Sequence, residues 1–233
     1  TINLPSVSGT RAADAGGAEM NEGTAKEYAV KSATALIFQK YGSDEGSCKF
    51  VESVDLPTAA ADWTDDTTVG ITTTKKLVAK LTNVDTKNQY YVLVLLNNNK
   101  KTGGVKVALP TVGQSYNEWN SQILTPSVDD LAADNDFYMA NAPLKGTASP
   151  TTLVTINKEN IYSSKEKAEA GTSAATVYVE RGVAKMSVND PKTKTVIDKA
   201  TNTPTQSTVE FNNWALDITN KKTYAVHNID GLS

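Results

Sequence analysis

The run YYVLVLL, residues 90–96, has no polar interruption and is bounded by Gln89 on one side and Asn97, Asn98 and Asn99 on the other. Such a run cannot lie on a sheet with one wet face, because successive side chains alternate between the two faces of a strand. It reads as a central strand covered on both sides, which demands a layer of structure above it and another below. It is also far too short to span a bilayer, which takes about 20 apolar residues.

The segments around it fit the same plan. EYAVKSATALIFQKYG places Tyr28, Val30, Ser32, Thr34, Leu36 and Phe38 on one face and Ala29, Lys31, Ala33, Ala35 and Ile37 on the other. It reads as a strand, although its alanines would also allow a helix. CKFVESVDL reads as the returning strand, TAAADWTDDTTVGITTT as a polar loop, KKLVAKLT as a short strand and VKVAL as a further one. In SYNEWNSQIL, Ser115 suits a helix cap, with Tyr116, Trp119 and Ile123 at helical spacing. SVDDLAADNDFYMANAPL reads as a long connection with a short helix that packs Phe137, Tyr138 and Met139 on the body. TTLVTI, TVYVERGVAKMSV, TKTVIDK, STVEFNNWALDIT and KKTYAVHN complete the strands. About seven to eight strands with one or two short helices predict an all-β sandwich, in one domain rather than two.

Composition narrows the function. Of 233 residues, 39% are hydrophobic, enough for a real core. The net charge is −3 and the basic residues are scattered lysines, so nucleic acid is not an expected partner. Cys48 is the only cysteine and His227 the only histidine, which removes intrachain disulfides and histidine-pair zinc sites. No nucleophile elbow or phosphate loop occurs, so the chain is not expected to be an enzyme and no cofactor is called for. Asp62, Asp65 and Asp66, and Asp129, Asp130, Asp134 and Asp136, form acidic clusters. Asp134-Asn135-Asp136 is a fragment of a calcium loop without the glycine and distal glutamate, and solvated loop charge is the better reading. Trp63 in its threonine-rich loop offers a stacking surface for a sugar, while Trp119 and Trp214 read as core.

One further stretch stands apart. SGTRAADAGG, residues 8–17, is small and polar around Arg11, one of only two arginines beside twenty-one lysines. Nothing in it anchors a core, so it reads as an open peptide in reach of an arginine-specific protease. Upstream, INLPSV carries Ile2, Leu4 and Val7, enough for a short strand.

Four segments, taken in order, resemble the fimbrillins of Bacteroidales, the type V pilin family. EYAVKSATALIFQ is similar to that family's first core strand. NDFYMANAPLKG resembles its mid-domain segment. VYVERGVAKMSV resembles a strand marked here by Val179, Glu180, Arg181, Ala184 and Lys185. FNNWALDITNKKTYAVHN is similar to the closing signature. The match runs across residues 27–228 and is nearest to the N-terminal domain of the subunit of the minor fimbria.

The resemblance implies a Greek-key, transthyretin-like β-sandwich over 27–233, preceded by a flexible linker at 12–26 and a segment at 1–11 that is removed on maturation. It implies export as a lipoprotein precursor and cleavage between Arg11 and Ala12. The strand containing Ile2, Leu4 and Val7 would then be displaced by a strand from a neighbouring subunit. Partners would be other fimbrial subunits, the protease, and host proteins or other bacteria at the cell surface. The family's second, strand-donating domain is not expected in this chain. The competing expectation is an accessory or tip adhesin, or a surface glycan-binding lipoprotein module, in which Trp63 would contact the ligand.

Overall fold

A computed structural model describes residues 1–5, 29–59, 64–65, 71–85, 87–100, 103–122, 131–132, 136–145, 150–183, 193–198, 200–208 and 222–230. In chain order the elements begin with β1 (Ile2–Pro5), β2 (Ala33–Gln39), β3 (Lys49–Leu56), β4 (Thr64–Asp65), β5 (Ile71–Lys75) and β6 (Tyr90–Leu96). Helix α1 (Tyr116–Asn120) follows, then β7 (Met139–Asn141), β8 (Leu144–Lys145), β9 (Pro150–Thr151) and β10 (Val154–Thr155). Helix α2 (Lys165–Ala170), β11 (Val177–Arg181), β12 (Thr193–Asp198) and β13 (Thr203–Thr208) complete the set. The protein is all-β in a sandwich-like arrangement.

The main sheet has nine strands in the order β3-β2-β6-β7-β11-β1-β5-β4, with β10 beside β6. As the apolar run demands, β6 lies inside the sheet with both faces covered. It pairs antiparallel with β2, Ala35 opposite Val94 and Leu36 opposite Leu93. Alternation then sends the two sets of side chains into different cores. Leu36, Phe38, Leu93 and Leu95 join an aromatic cluster with Phe50, Tyr116 and Trp119. Phe38 meets Phe50 and Tyr116 edge-on, each with ring centroids 5.6 Å apart. Ala33, Ala35, Ile37, Val92, Val94 and Leu96 face a second, aliphatic core that includes Met139, Val177 and Val179.

Local chemistry fixes the elements around these cores. Ser115 caps α1 in a reciprocal box: its Oγ accepts from the Glu118 amide at 3.2 Å, and the Glu118 carboxylate accepts from the Ser115 amide at 2.9 Å. The buried Trp119 indole donates to the Ala108 carbonyl at 2.7 Å, and the Tyr138 hydroxyl to the Ala225 carbonyl at 2.8 Å. Each large aromatic thus enters the core with its polar atom satisfied.

Three expected strands differ. The strand near residue 75 is the threonine-rich Ile71–Lys75, not KKLVAKLT. Threonine suits a pleated, half-covered strand, and here it has a partner in β1, while Leu77, Leu81 and Val84 leave the ladder to pack on the aliphatic core. VKVAL contributes a single bridge, Asn99 to Val105. Within KKTYAVHN, residues 222–228 form no strand; Ala225 and Val226 are buried as a coil plug in the aromatic core.

The chain divides into two compact units, 1–183 with 222–233, and 184–221. The second contains the β12–β13 hairpin, registered from Thr193 opposite Thr208 to Asp198 opposite Thr203, with Asn202 in the left-handed region at φ 52°. No described helix is long and apolar enough to cross a membrane.

Candidate functional site

Residues 2–5 occupy an interior position in the main sheet. β1 runs parallel to β11, Ile2 opposite Val177 and Asn3 opposite Tyr178, and antiparallel to β5, from Ile2 opposite Lys75 to Pro5 opposite Ile71. The ladder slips between Leu4 and Pro5. Proline cannot donate to a ladder, so an irregularity at this position is what its chemistry permits.

The side chains alternate as a strand requires. Ile2 and Leu4, 4% and 1% exposed, belong to the aliphatic core with Ala35, Ile37, Val92 and Val94. Asn3 between them is buried too, and its Oδ1 accepts from the Thr74 hydroxyl at 2.6 Å. The Thr1 carbonyl accepts from the Val177 amide at 2.7 Å, and the Thr1 and Ser173 hydroxyls are 2.8 Å apart. Four residues therefore supply backbone bonds to two neighbours and two aliphatic side chains to one core. Beside Ile2 opens an apolar cavity of about 690 Å³.

The other expected site residues fall as follows. Val7, Arg11, Ala12 and Trp63 lie outside the described residues, as do Asp62, Asp66, Asp129, Asp130 and Asp134. Arg181 lies within β11, its guanidinium 5.3 Å from the centre of the Phe137 ring. Asp136 departs from the reading of the acidic clusters as solvated charge. It is buried, its backbone carbonyl accepts from the Lys106 ammonium at 2.6 Å, and its carboxylate is 3.9 Å from Lys31 and 4.0 Å from Lys106. Lys106, itself sunk in the fold, is what allows the acid to be buried.

Cys48 is a core residue, and burial pushes its thiol pKa up, away from the reactive range. His227 pairs its Nδ1 with Glu180 at 2.8 Å on the surface. Among the described residues, no group of three or more His, Cys, Asp or Glu stands where it could hold a metal ion.

Sequence reasoning missed three polar anchors, of which Glu52 and Asn141 are buried and Glu45 half-buried. Glu45 accepts from the Thr152 and Leu153 amides at 2.9 and 3.0 Å. Glu52 accepts from the amides of Thr82 and Asn83, both at 3.0 Å, and from the Thr82 hydroxyl at 2.6 Å. Asn141 bonds across the middle of the sheet. The residue types alone carry no signal for these roles.

No family model matches the chain, and no curated protein matches it. Among solved structures, a fimbrial assembly protein from Parabacteroides distasonis is similar at 15% identity with a TM-score of 0.38, over 77% of this chain and 51% of that one. The chain spans about half the length of that neighbour.

Proposed function

We propose that this chain is a structural subunit of a cell-surface fimbria, exported through the periplasm and outer membrane and assembled by strand exchange. In this reading residues 1–11 hold the place of a strand that a neighbouring subunit later supplies. An arginine-specific protease cuts between Arg11 and Ala12, and the peptide carrying Ile2, Leu4 and Val7 leaves. A donor strand then enters between β11 and β5.

The observation that carries the reading is the interior position of β1. A strand lost from a sheet edge uncovers one row of backbone groups; this one would uncover two rows facing a common gap, above an aliphatic core. Unpaired rows of that kind take up an extended segment from another chain, with backbone bonds for affinity and alternate side chains for selectivity. The order of the fimbrillin-like segments over residues 27–228 supports the same reading. Adhesion to host proteins or other bacteria would be a property of the assembled fimbria, and catalysis has no part in it.

Limited digestion of the full chain with an arginine-specific protease, read by intact mass and thermal melting, tests this. The expected first product is cut after Arg11 with Arg181 intact. Burial of Ile2 and Leu4 is worth roughly 3–6 kcal/mol gross. Washing out the released peptide should therefore lower the Tm by about 10 °C. A synthetic TINLPSV peptide should restore it. A first cut after Arg181, or melting unchanged once the peptide has gone, would overturn the reading.

A further inference from the structure

Protein interiors are packed nearly as densely as organic crystals, and voids much larger than a water molecule are few. The opening beside β1, at about 690 Å³, is a cleft open to the surface and not such a void, and it falls in the size range of small-molecule sites. Its walls are aliphatic: Ile37, Val92 and Val94 from the central strands, with Leu77, Leu81 and Ile156 around them. Such a wall has no use for a polar occupant.

The rim has a different character. Lys76, Lys80 and Lys165 line it, and no aspartate or glutamate does so among the described residues. The Lys76 ammonium donates to the carbonyls of Glu169, at 2.8 Å, and Gly171. Those acceptors are neutral, so the charge is held at the rim without being cancelled. Lys165 pairs with Glu169 at 3.5 Å, but both side chains are more than half exposed, and a pair of that kind is weak. Lys80 is exposed and has no ion pair among the described residues. Ser163, Ser164 and Thr172 add hydroxyls to the same mouth.

An apolar chamber under a cationic, hydroxyl-bearing rim matches a single-chain amphiphile with an anionic head. We propose that this cavity binds a medium-chain fatty acid, with the alkyl chain between Ile37, Val92 and Val94 and the carboxylate among Lys76, Lys80 and Lys165. The site is that of the chain with β1 in place, since Thr1 and Ile2 belong to its lining.

Isothermal titration of the full chain with decanoate, decanol and decyltrimethylammonium, each below its micellar concentration, tests the proposal. Decanoate is expected to bind at a single saturable site, with the uncharged and cationic probes at least about tenfold weaker. The double variant Lys80→Glu/Lys165→Glu should weaken decanoate by about tenfold or more at unchanged Tm, because both side chains are at the surface. Ala168→Phe, on the rim face of α2, should obstruct entry and also lower the affinity.

Equal binding of all three probes, absence of saturation, or indifference to the charge reversal would overturn the proposal. So would sedimentation showing that two copies of the chain associate through this face while decanoate does not bind. Binding only to phosphatidylglycerol vesicles, with none to free decanoate, would overturn it in favour of a membrane surface.

Discussion

Asn141 stands in for a stretch of strand that β6 lacks. Along one edge of β6, β7 pairs with Leu95 and Leu96, and β10 pairs with Tyr91 and Val92. Between them the Asn141 amide takes over. Its Oδ1 accepts from the Val94 amide at 2.8 Å, and its Nδ2 donates to the carbonyls of Val92 at 3.1 Å and Thr152 at 2.7 Å. The residue has no exposed surface. An amide side chain offers a donor and an acceptor in the geometry of a peptide group, so it can splice two short strands onto one long one. Asn141→Ala would leave those three backbone groups buried without partners. A loss of about 3 kcal/mol is expected, read as a lower midpoint in urea at unchanged slope. Asn141→Asp keeps the acceptor but loses both donors, so it should do no better. This role was hidden in the sequence, where MANAP looks like any asparagine ahead of a proline turn. Asp136 was hidden for a related reason: three of its acidic neighbours in sequence suggested water, and Lys106, thirty residues away, decided otherwise.

At the level of elements, Glu52 ties β3 to the coil that follows β5. Burial alone would raise its carboxyl pKa, but the hydrogen bonds from Thr82 and Asn83 outweigh burial and hold it below the ordinary value. The sign follows from linkage. A depressed folded pKa stabilises the fold above the unfolded pKa, near 4.3 for glutamate, and this contribution is lost as pH falls through the folded value. Glu52→Gln should therefore be less stable than the parent at neutral pH, and the gap should close towards about pH 3. Urea unfolding at the two pH values checks this; a gap independent of pH would mean that packing, not charge, holds the coil.

The same region shows what pattern can and cannot deliver. β2 and β6 were legible because both faces of each are buried, and a run such as YYVLVLL has no other use in a sheet. Helix α1 was legible because Ser115 and its spacing are local signals. The assignment of strand near residue 75 went to the more apolar KKLVAKLT because hydrophobicity was visible and the partner was not. Pairing with β1 makes ITTTK a strand, and the burial of Leu77 and Leu81 comes from the cavity wall instead. Ile2 and Leu4 carried a strand signal of their own, but which strands they would join depends on partners at 73–75 and 177–178.

At the scale of the main sheet, β1 alone among the described strands joins the β11 side to the β5–β4 side. Removing it should therefore loosen its two flanks and leave the centre intact. Hydrogen exchange before and after loss of residues 1–11 is expected to show the largest acceleration in β11, at Val177 above all, and in β5, with a smaller one in β2 and β6 that follows the lower global stability. Uniform loss of protection would mean that the segment supports the entire fold, and no change would mean that it supports none of it.

The two flanks of β1 also differ in kind. One is a parallel ladder, with slanted and evenly spaced bonds; the other is antiparallel, with perpendicular bonds in alternating narrow and wide pairs. A strand lying in this place in the reverse direction would have to exchange the two patterns, which the fixed backbones on either side do not offer. On the proposed strand exchange, the slot would read the direction of its occupant as well as its side chains. Copies joined through such a slot meet by unlike surfaces, the occupied face of one against the extended segment of the next. Contacts of that heterologous type, unless the rotation between copies happens to close a ring, generate open filaments. Such a filament would have a fixed polarity, with a distinct leading and trailing end.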